Sequence, residues 1–197
     1  MRFLLSFFLL FVTSITSHSQ IPKTANDICP LLIGEKIPDM MLKGPDGTEI
    51  RLMDSLATKP TIIIVYRGGW CPFCNRHLAE IGERMKEITE LGYQVIAISP
   101  DAKVEADLTQ TKNNLPYQIY SDGSGEFSKA VGIAFEAPER YNEKLLKYSD
   151  NENTGFLPVP SLFVVNREGF IRFEYINPEY KERMSADLLI EVLKSFN

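Results

Sequence analysis

Apolar and polar positions run along this chain in two periods. Thr61-Ile62-Ile63-Ile64-Val65-Tyr66 is continuous and β-branched, the pattern of a strand covered on both faces. Gln94-Val95-Ile96-Ala97-Ile98, Tyr117-Gln118-Ile119-Tyr120 and Ser161-Leu162-Phe163-Val164-Val165 read as further strands. The last pairs across Asn166-Arg167-Glu168-Gly169 with Phe170-Ile171-Arg172-Phe173-Glu174-Tyr175. Near the start, MMLKGPDGTEIRL predicts a hairpin turning at Gly44-Pro45-Asp46-Gly47. Elsewhere the period lengthens. Leu78, Ile81, Met85, Ile88 and Leu91 recur at three and four, which predicts one amphipathic helix stopped by Gly92. Ser99-Pro100-Asp101 predicts a helix start, with Ser99 as cap and Pro100 in the first turn. A short helix is expected over Glu126 to Val131. Ser185 caps a final helix with Leu189, Val192, Leu193 and Phe196 on one face.

Residues 136–156 are charged and polar, with helical spacing at Tyr141, Leu145 and Tyr148. They are read as a surface insertion, a solvated loop rather than a lid. Strands alternating with helices imply an α/β fold: a central mixed sheet, helices on both faces, and the hairpin at its N-terminal end.

The opening residues stand apart. Met1-Arg2 precedes FLLSFFLLFV and then TSITSHSQ. A basic start, a short apolar stretch and small residues before Gln20 have the form of a secretory signal over residues 1–19. The run is too short to span a bilayer, and no cysteine follows it at lipoprotein spacing. Residues 20–33 read as a lead-in segment and 34–197 as one domain. Export implies a periplasmic or extracellular setting without a membrane anchor.

The 197 residues are 44% hydrophobic and 24% charged, a globular composition. A net charge of -5 argues against nucleic acid or an anionic membrane as partner.

Chemistry concentrates in Tyr66-Arg67-Gly68-Gly69-Trp70-Cys71-Pro72-Phe73-Cys74-Asn75-Arg76-His77. Cys71 and Cys74 fall at a strand-to-helix junction. Pro72 suits an early helical position, where its missing N–H costs nothing. The helix N-terminus then faces the Cys71 sulfur and favours thiolate. Arg67, Arg76 and a protonated His77 are candidate cationic supports. Cys74, one turn further in, is placed to attack a mixed disulfide on Cys71. A staple closing so short a loop removes only about 2 kcal/mol of unfolded-state entropy. A zinc site has four candidate ligands, Cys71, Cys74, Cys29 and His77, and no second CxxC. Glycines 68 and 69 make a tight approach and not a phosphate loop, because no lysine follows at the needed spacing. Trp70 screens the thiol. Pro160 opens an apolar strand; a cis Val159–Pro160 bond would bring the Val159 backbone near the thiols, where it could pair with a substrate chain, and a trans proline at a strand edge is the alternative. Cys29 is left open as a free thiol, a second resolving cysteine or an intermolecular bridge.

These segments resemble the alkyl hydroperoxide reductase/thiol-specific antioxidant (AhpC/TSA) peroxiredoxin-like branch of the thioredoxin-fold superfamily. The resemblance rests on GEKIPDMMLKGPDGTEIRL, TIIIVYRGGWCPFCNRHL, QVIAISPD, YSDGSGEFSKAVGI and VPSLFVVNREGFIRF. It implies a thioredoxin-like fold and a thiol-dependent enzyme with an antioxidant role. Where peroxiredoxins carry proline, a hydroxyl residue and the peroxidatic cysteine, this chain has Arg67, Cys71 and Cys74. The family's peroxide-binding arginine has Pro160 at about its place, with Arg172 or Arg183 as substitutes. The expectation is thiol-disulfide exchange: Cys71 attacks, Cys74 resolves, and Arg67, Trp70, Pro72, Val159 and Pro160 support them. The dithiol itself serves in place of a metal or other cofactor. Partners are protein thiols and disulfides or hydroperoxides, with an unidentified electron donor. The alternatives are a peroxidase forming a sulfenic acid on Cys74, a CxxC metal-binding module, and a redox-inert binding domain.

Overall fold

The computed structural model describes residues 21–44 and 47–196. The leader assigned to residues 1–19 lies outside them, as do Pro45 and Asp46 of the first turn. The chain runs β1 (Met41–Lys43), β2 (Glu49–Arg51), α1 (Leu52–Thr58), β3 (Thr61–Val65), α2 (Pro72–Glu83), α3 (Met85–Glu90), β4 (Gln94–Ser99) and α4 (Lys103–Lys112). It continues with β5 (Gln118–Ser121), α5 (Glu126–Ala130), β6 (Ala134–Glu136), α6 (Asn142–Tyr148), β7 (Phe156–Pro158), β8 (Ser161–Val165), β9 (Ile171–Ile176) and α7 (Ala186–Lys194).

The main sheet has the order β2-β1-β5-β4-β3-β8-β9. Strands β3, β4 and β5 are parallel, and β8 runs antiparallel against β3. It is the expected mixed sheet. All five residues of β3 are buried, and their side chains divide between two layers. Ile62 and Ile64 face a core with Leu78 and Ile81 of α2 and Leu189 and Leu193 of α7. Ile63 and Val65 face the opposite core, with Leu52 and Leu56 of α1 and Phe127 of α5. Period-two alternation on a central strand thus places helices on both faces.

The helix after the cysteines is two helices, broken at Arg84, whose backbone sits at φ -97°, ψ 9°. Gly82 just before the break lets Pro116 approach to within 3.2 Å of where a Cβ would stand. Gly92, at φ +88°, ends α3 as expected: its N–H donates to Thr89 and that of Tyr93 to Ile88.

Ser99 caps no helix. It ends β4, paired with Ser121, and α4 starts later from Ala102 without a side-chain cap. Asp101 is drawn inward, as described below. Helix α1 follows β2 directly, with no turn signal to announce it. Leu52 and Leu56 bury one face of it.

The insertion is not a solvated loop. Strands β6 and β7 pair at its base, and Leu145 of α6 is buried. Buried Asn153 closes the return, its Oδ1 accepting from the N–H groups of Gly155 and Phe156 and its Nδ2 donating to the Phe156 carbonyl. The lead-in segment is also tied down. Pro22 accepts a hydrogen bond from Glu136, and Leu31 donates to Val131.

Candidate active site

Strand β3 delivers the chain to the site, and its extension is anchored where the Tyr66 N–H donates to the Ile98 carbonyl. The chain then turns sharply through Gly68 and Gly69. Gly68 has φ +136°, and a Cβ there would stand 2.3 Å from Trp70 Nε1 and 2.7 Å from Asp101 Oδ1. A Cβ on Gly69 would stand 1.9 Å from Thr109 Oγ1. Both glycines are therefore demanded by close approach, as the sequence suggested. The Gly69 N–H donates to Asp101 Oδ2 at 2.6 Å, and the Gly69 carbonyl accepts from Asn75 Nδ2 at 2.8 Å. This clamp fixes the turn against the segment between β4 and α4 on one side and α2 on the other.

Cys71 is the N-cap residue of α2 and Pro72 follows at its first turn, where a proline is expected. All three cysteines are free thiols. Cys71 and Cys74 are both buried, 1% and 0% exposed, so Cys71 is more shielded than an open attacking thiol. Its thiol is lowered to about 6, chiefly by a hydrogen bond from the Cys74 side chain. Burial opposes this, while the Cys74 backbone N–H and the charges of Arg67 and Arg183 assist it. Cys74 is pushed well above the usual thiol range by burial first and by its contact with Cys71 second. The hydrogen bond between them couples the two thiols, lowering Cys71 and raising Cys74.

Arg67 is 4% exposed and lies among three rings. Its guanidinium carbon is 4.2 Å from the ring centre of Tyr180, 4.9 Å from that of Tyr141 and 5.1 Å from that of Trp70. Trp70 also packs on Tyr141 at 5.5 Å, and Phe73 meets Tyr180 edge-on at 5.8 Å. Tyr141 belongs to the insertion, which therefore covers the site. Arg183 Nη2 donates to Cys74 Sγ at 3.6 Å.

His77 does not supply a cation. Burial, with Arg183 nearby, lowers it to about 4, so it is neutral at physiological pH. Arg76 lies over Phe73 rather than at the sulfurs, and Arg172 lies over Phe196.

Val159 and Pro160 also differ from expectation. No cis peptide bond occurs among the described residues. The Val159 N–H donates to the Ile133 carbonyl, and its own carbonyl accepts from Ser161 Oγ. Its side chain packs in the core on the far side of the sheet from the cysteines. Pairing within the fold thus occupies the backbone that was expected to meet a substrate. Cys29 is exposed on the lead-in segment, whose Ile28 and Leu31 pack on that far side.

Tyr141 and Tyr180 were missed because each lies far along the sequence in a polar stretch without a motif. Asp101 was missed because Ser-Pro-Asp reads equally well as a helix start. Burial of an acid is a tertiary fact.

The family model for the AhpC/TSA family matches residues 33–174. Peroxiredoxin bcp1 of Schizosaccharomyces pombe is 33% identical over 100 residues, covering 51% of each chain, so the chain spans about half the length of that relative. Peroxiredoxin Bcp of Bacillus subtilis is 25% identical over 156 residues, covering 79% of this chain and 92% of that protein. The thiol-disulfide oxidoreductase ResA of Bacillus thuringiensis subsp. konkukian is 22% identical over 161 residues, covering 79% of this chain and 76% of that protein. Among solved structures, Peroxidoxin BcpB from Mycobacterium tuberculosis superposes with a TM-score of 0.68 at 17% identity, covering 84% of this chain and 97% of that one.

Proposed function

The chain belongs to the AhpC/TSA family of thiol-dependent oxidoreductases, and from that premise we propose that it is an exported thiol-disulfide oxidoreductase working through Cys71 and Cys74. The observation that carries this reading is the placement of the pair: Cys71 caps α2, Cys74 stands one turn further in, and their contact lowers the Cys71 thiol while Cys74 is raised. At neutral pH such a pair holds a ready nucleophile beside a protonated partner. The Cys71 thiolate attacks a substrate disulfide, forming a mixed disulfide and releasing one substrate thiolate. Cys74 then loses its proton and attacks the Cys71 sulfur. The second substrate thiolate leaves, and the protein holds a Cys71–Cys74 disulfide. A thiol donor returns two electrons to restore the dithiol. The pair is the only redox group this cycle uses. Export rests on the form of residues 1–19, and the periplasm or exterior is the proposed setting.

A second reading has its own support. Arg183 on Cys74 Sγ and the peroxiredoxin relatives favour a peroxidase. There Cys74 gives up its proton, its sulfur takes the terminal oxygen of a hydroperoxide as the O–O bond breaks, and the proton goes to the leaving alkoxide, yielding an alcohol and a sulfenic acid. Cys71 then condenses with that sulfenic acid, releasing water. Dimedone labelling and peroxide consumption in Cys71→Ser and Cys74→Ser variants separate the two readings. Thiol-disulfide exchange expects disulfide reduction to fail in Cys71→Ser, with little dimedone adduct anywhere. Labelled Cys74 with rapid peroxide turnover would overturn it in favour of the peroxidase.

A further inference from the structure

Four aromatic rings cluster around the turn that carries the dithiol, and each has a cation on its face. Trp70 and Phe73 flank Cys71 in sequence, Tyr141 packs on Trp70, and Tyr180 packs on Phe73. Beyond the buried Arg67, Lys144 lies 5.0 Å from the centre of Trp70 and Arg76 5.6 Å from Phe73. Arg140 lies 5.0 Å from Tyr141 and Lys181 5.8 Å from Tyr180. None of these five cations, nor Arg183, takes part in an ion pair among the described residues, although Arg84, Lys103 and Lys194 elsewhere do. Glu139, Glu143, Glu179 and Glu182 share the same two segments and pair with none of them. In a chain at -5 overall, six cations thus stand on these rings or beside Cys74, against the four glutamates of the same two segments.

Cations held on ring faces keep their charge available while the rings supply apolar contact. We propose that this rim receives an anionic partner, and specifically a protein disulfide whose cysteines are flanked by aspartate or glutamate. The inference rests on the thiol-disulfide reading above. A polypeptide fits better than a small hydroperoxide, because the cations come from three separate stretches of chain: Arg76 from α2, Arg140 and Lys144 from the insertion, and Lys181 from the loop before α7. One charged group on a small molecule would answer only one of them. Opposed charges at a rim raise association rates by about 10- to 1000-fold and lose that effect as salt is added.

The test uses the full chain in its reduced form and two synthetic cystine peptides of equal length, one Asp-flanked and one Lys-flanked. The rate of Cys71–Cys74 disulfide formation is followed by mass spectrometry and normalised to each peptide's rate with a free dithiol. The expected result is an advantage of about tenfold or more for the Asp-flanked peptide at low salt, shrinking towards unity near ~0.5 M salt. The net charge of the protein alone predicts the reverse preference. Arg140→Glu/Lys144→Glu/Lys181→Glu should erase the advantage. Lys23→Glu/Lys59→Glu/Lys86→Glu, with the same change in net charge, should keep it. Equal rates with both peptides, or loss of the preference in the second triple variant, overturns the anionic partner while leaving disulfide exchange intact. Failure of both peptides to oxidise the dithiol overturns the exchange reading and this inference with it.

Discussion

Arg183 and Cys74 meet across 109 positions of sequence, the guanidinium donating to Sγ at 3.6 Å. The contact ties the loop before α7 to the helix that carries the thiols. Its charge helps lower Cys71 and opposes the rise of Cys74. Arg183→Met keeps the apolar stem and removes the charge. The Cys71 titration, read as the pH dependence of alkylation, should then move upward by about one pH unit. His77 should also rise from about 4, because Arg183 helps hold it down, and this is checked by an NMR titration of the imidazole. Arg183→Lys should restore part of both.

The proton that Cys74 shares with Cys71 is the largest cause of the low Cys71 value. Serine at position 74 still donates and alanine does not. Alkylation of Cys71 should therefore keep a midpoint near 6 in Cys74→Ser and move well above it in Cys74→Ala. A common midpoint in the two variants would remove the hydrogen bond as the cause.

Asp101 is 1% exposed and raised to about 7, by burial above all, against the Gly69 hydrogen bond that favours its charged form. A carboxyl with a raised native value binds its proton better folded than unfolded. Its contribution to stability is therefore full below the unfolded value near ~4 and is lost as pH climbs through about 7, at about 1.4 kcal/mol for each pH unit between the two values. Asp101→Asn retains an acceptor for the Gly69 N–H. It should flatten the stability profile between about pH 4 and 7, as measured by urea midpoints across that range. In the variant, Asp122, raised to about 6 by burial, and His77, lowered to about 4, act over the same range with opposite signs and largely offset each other.

Gly132 has φ +74°, and a Cβ there would stand 1.9 Å from the Cys29 carbonyl oxygen. The obstacle is backbone, so it has no rotamer to escape into. Gly132→Ala should cost about 2–4 kcal/mol, seen as a lower urea midpoint. It should also speed proteolysis within residues 21–33, whose anchor beside that glycine is the Leu31 bond to Val131. Unchanged stability would mean that the lead-in segment is not held there.

Local pattern made much of this protein legible. The β-branched run at 61–66, the hairpin around 166–169, the Ser185 cap, which accepts from the Leu188 N–H, and the Gly92 stop all depend on neighbours a few residues away. The CxxC at a strand-to-helix junction falls in the same class. What escaped was tertiary. Arg84 breaks a helix whose apolar spacing runs on unbroken. Ser99 and Asp101 obey strand pairing and a distant glycine N–H instead of a local capping preference. The insertion looked solvated because its outward face is charged. Leu145, Asn153 and Phe156, its inward face, are too few to set a period. Val159 looked free to bind because nothing near it in sequence foretells β6, whose pairing with β7 leads into its bond with Ile133.

Trp70 is the chain's single indole, pressed against Tyr141 and one residue from Cys71. Its emission is therefore a native gauge of the sulfurs, needing no dye. Thiolate and disulfide quench excited indole to different degrees, so each turn of the cycle should register as a change in brightness. A stopped-flow trace of the unlabelled protein would then time each step of the chemistry.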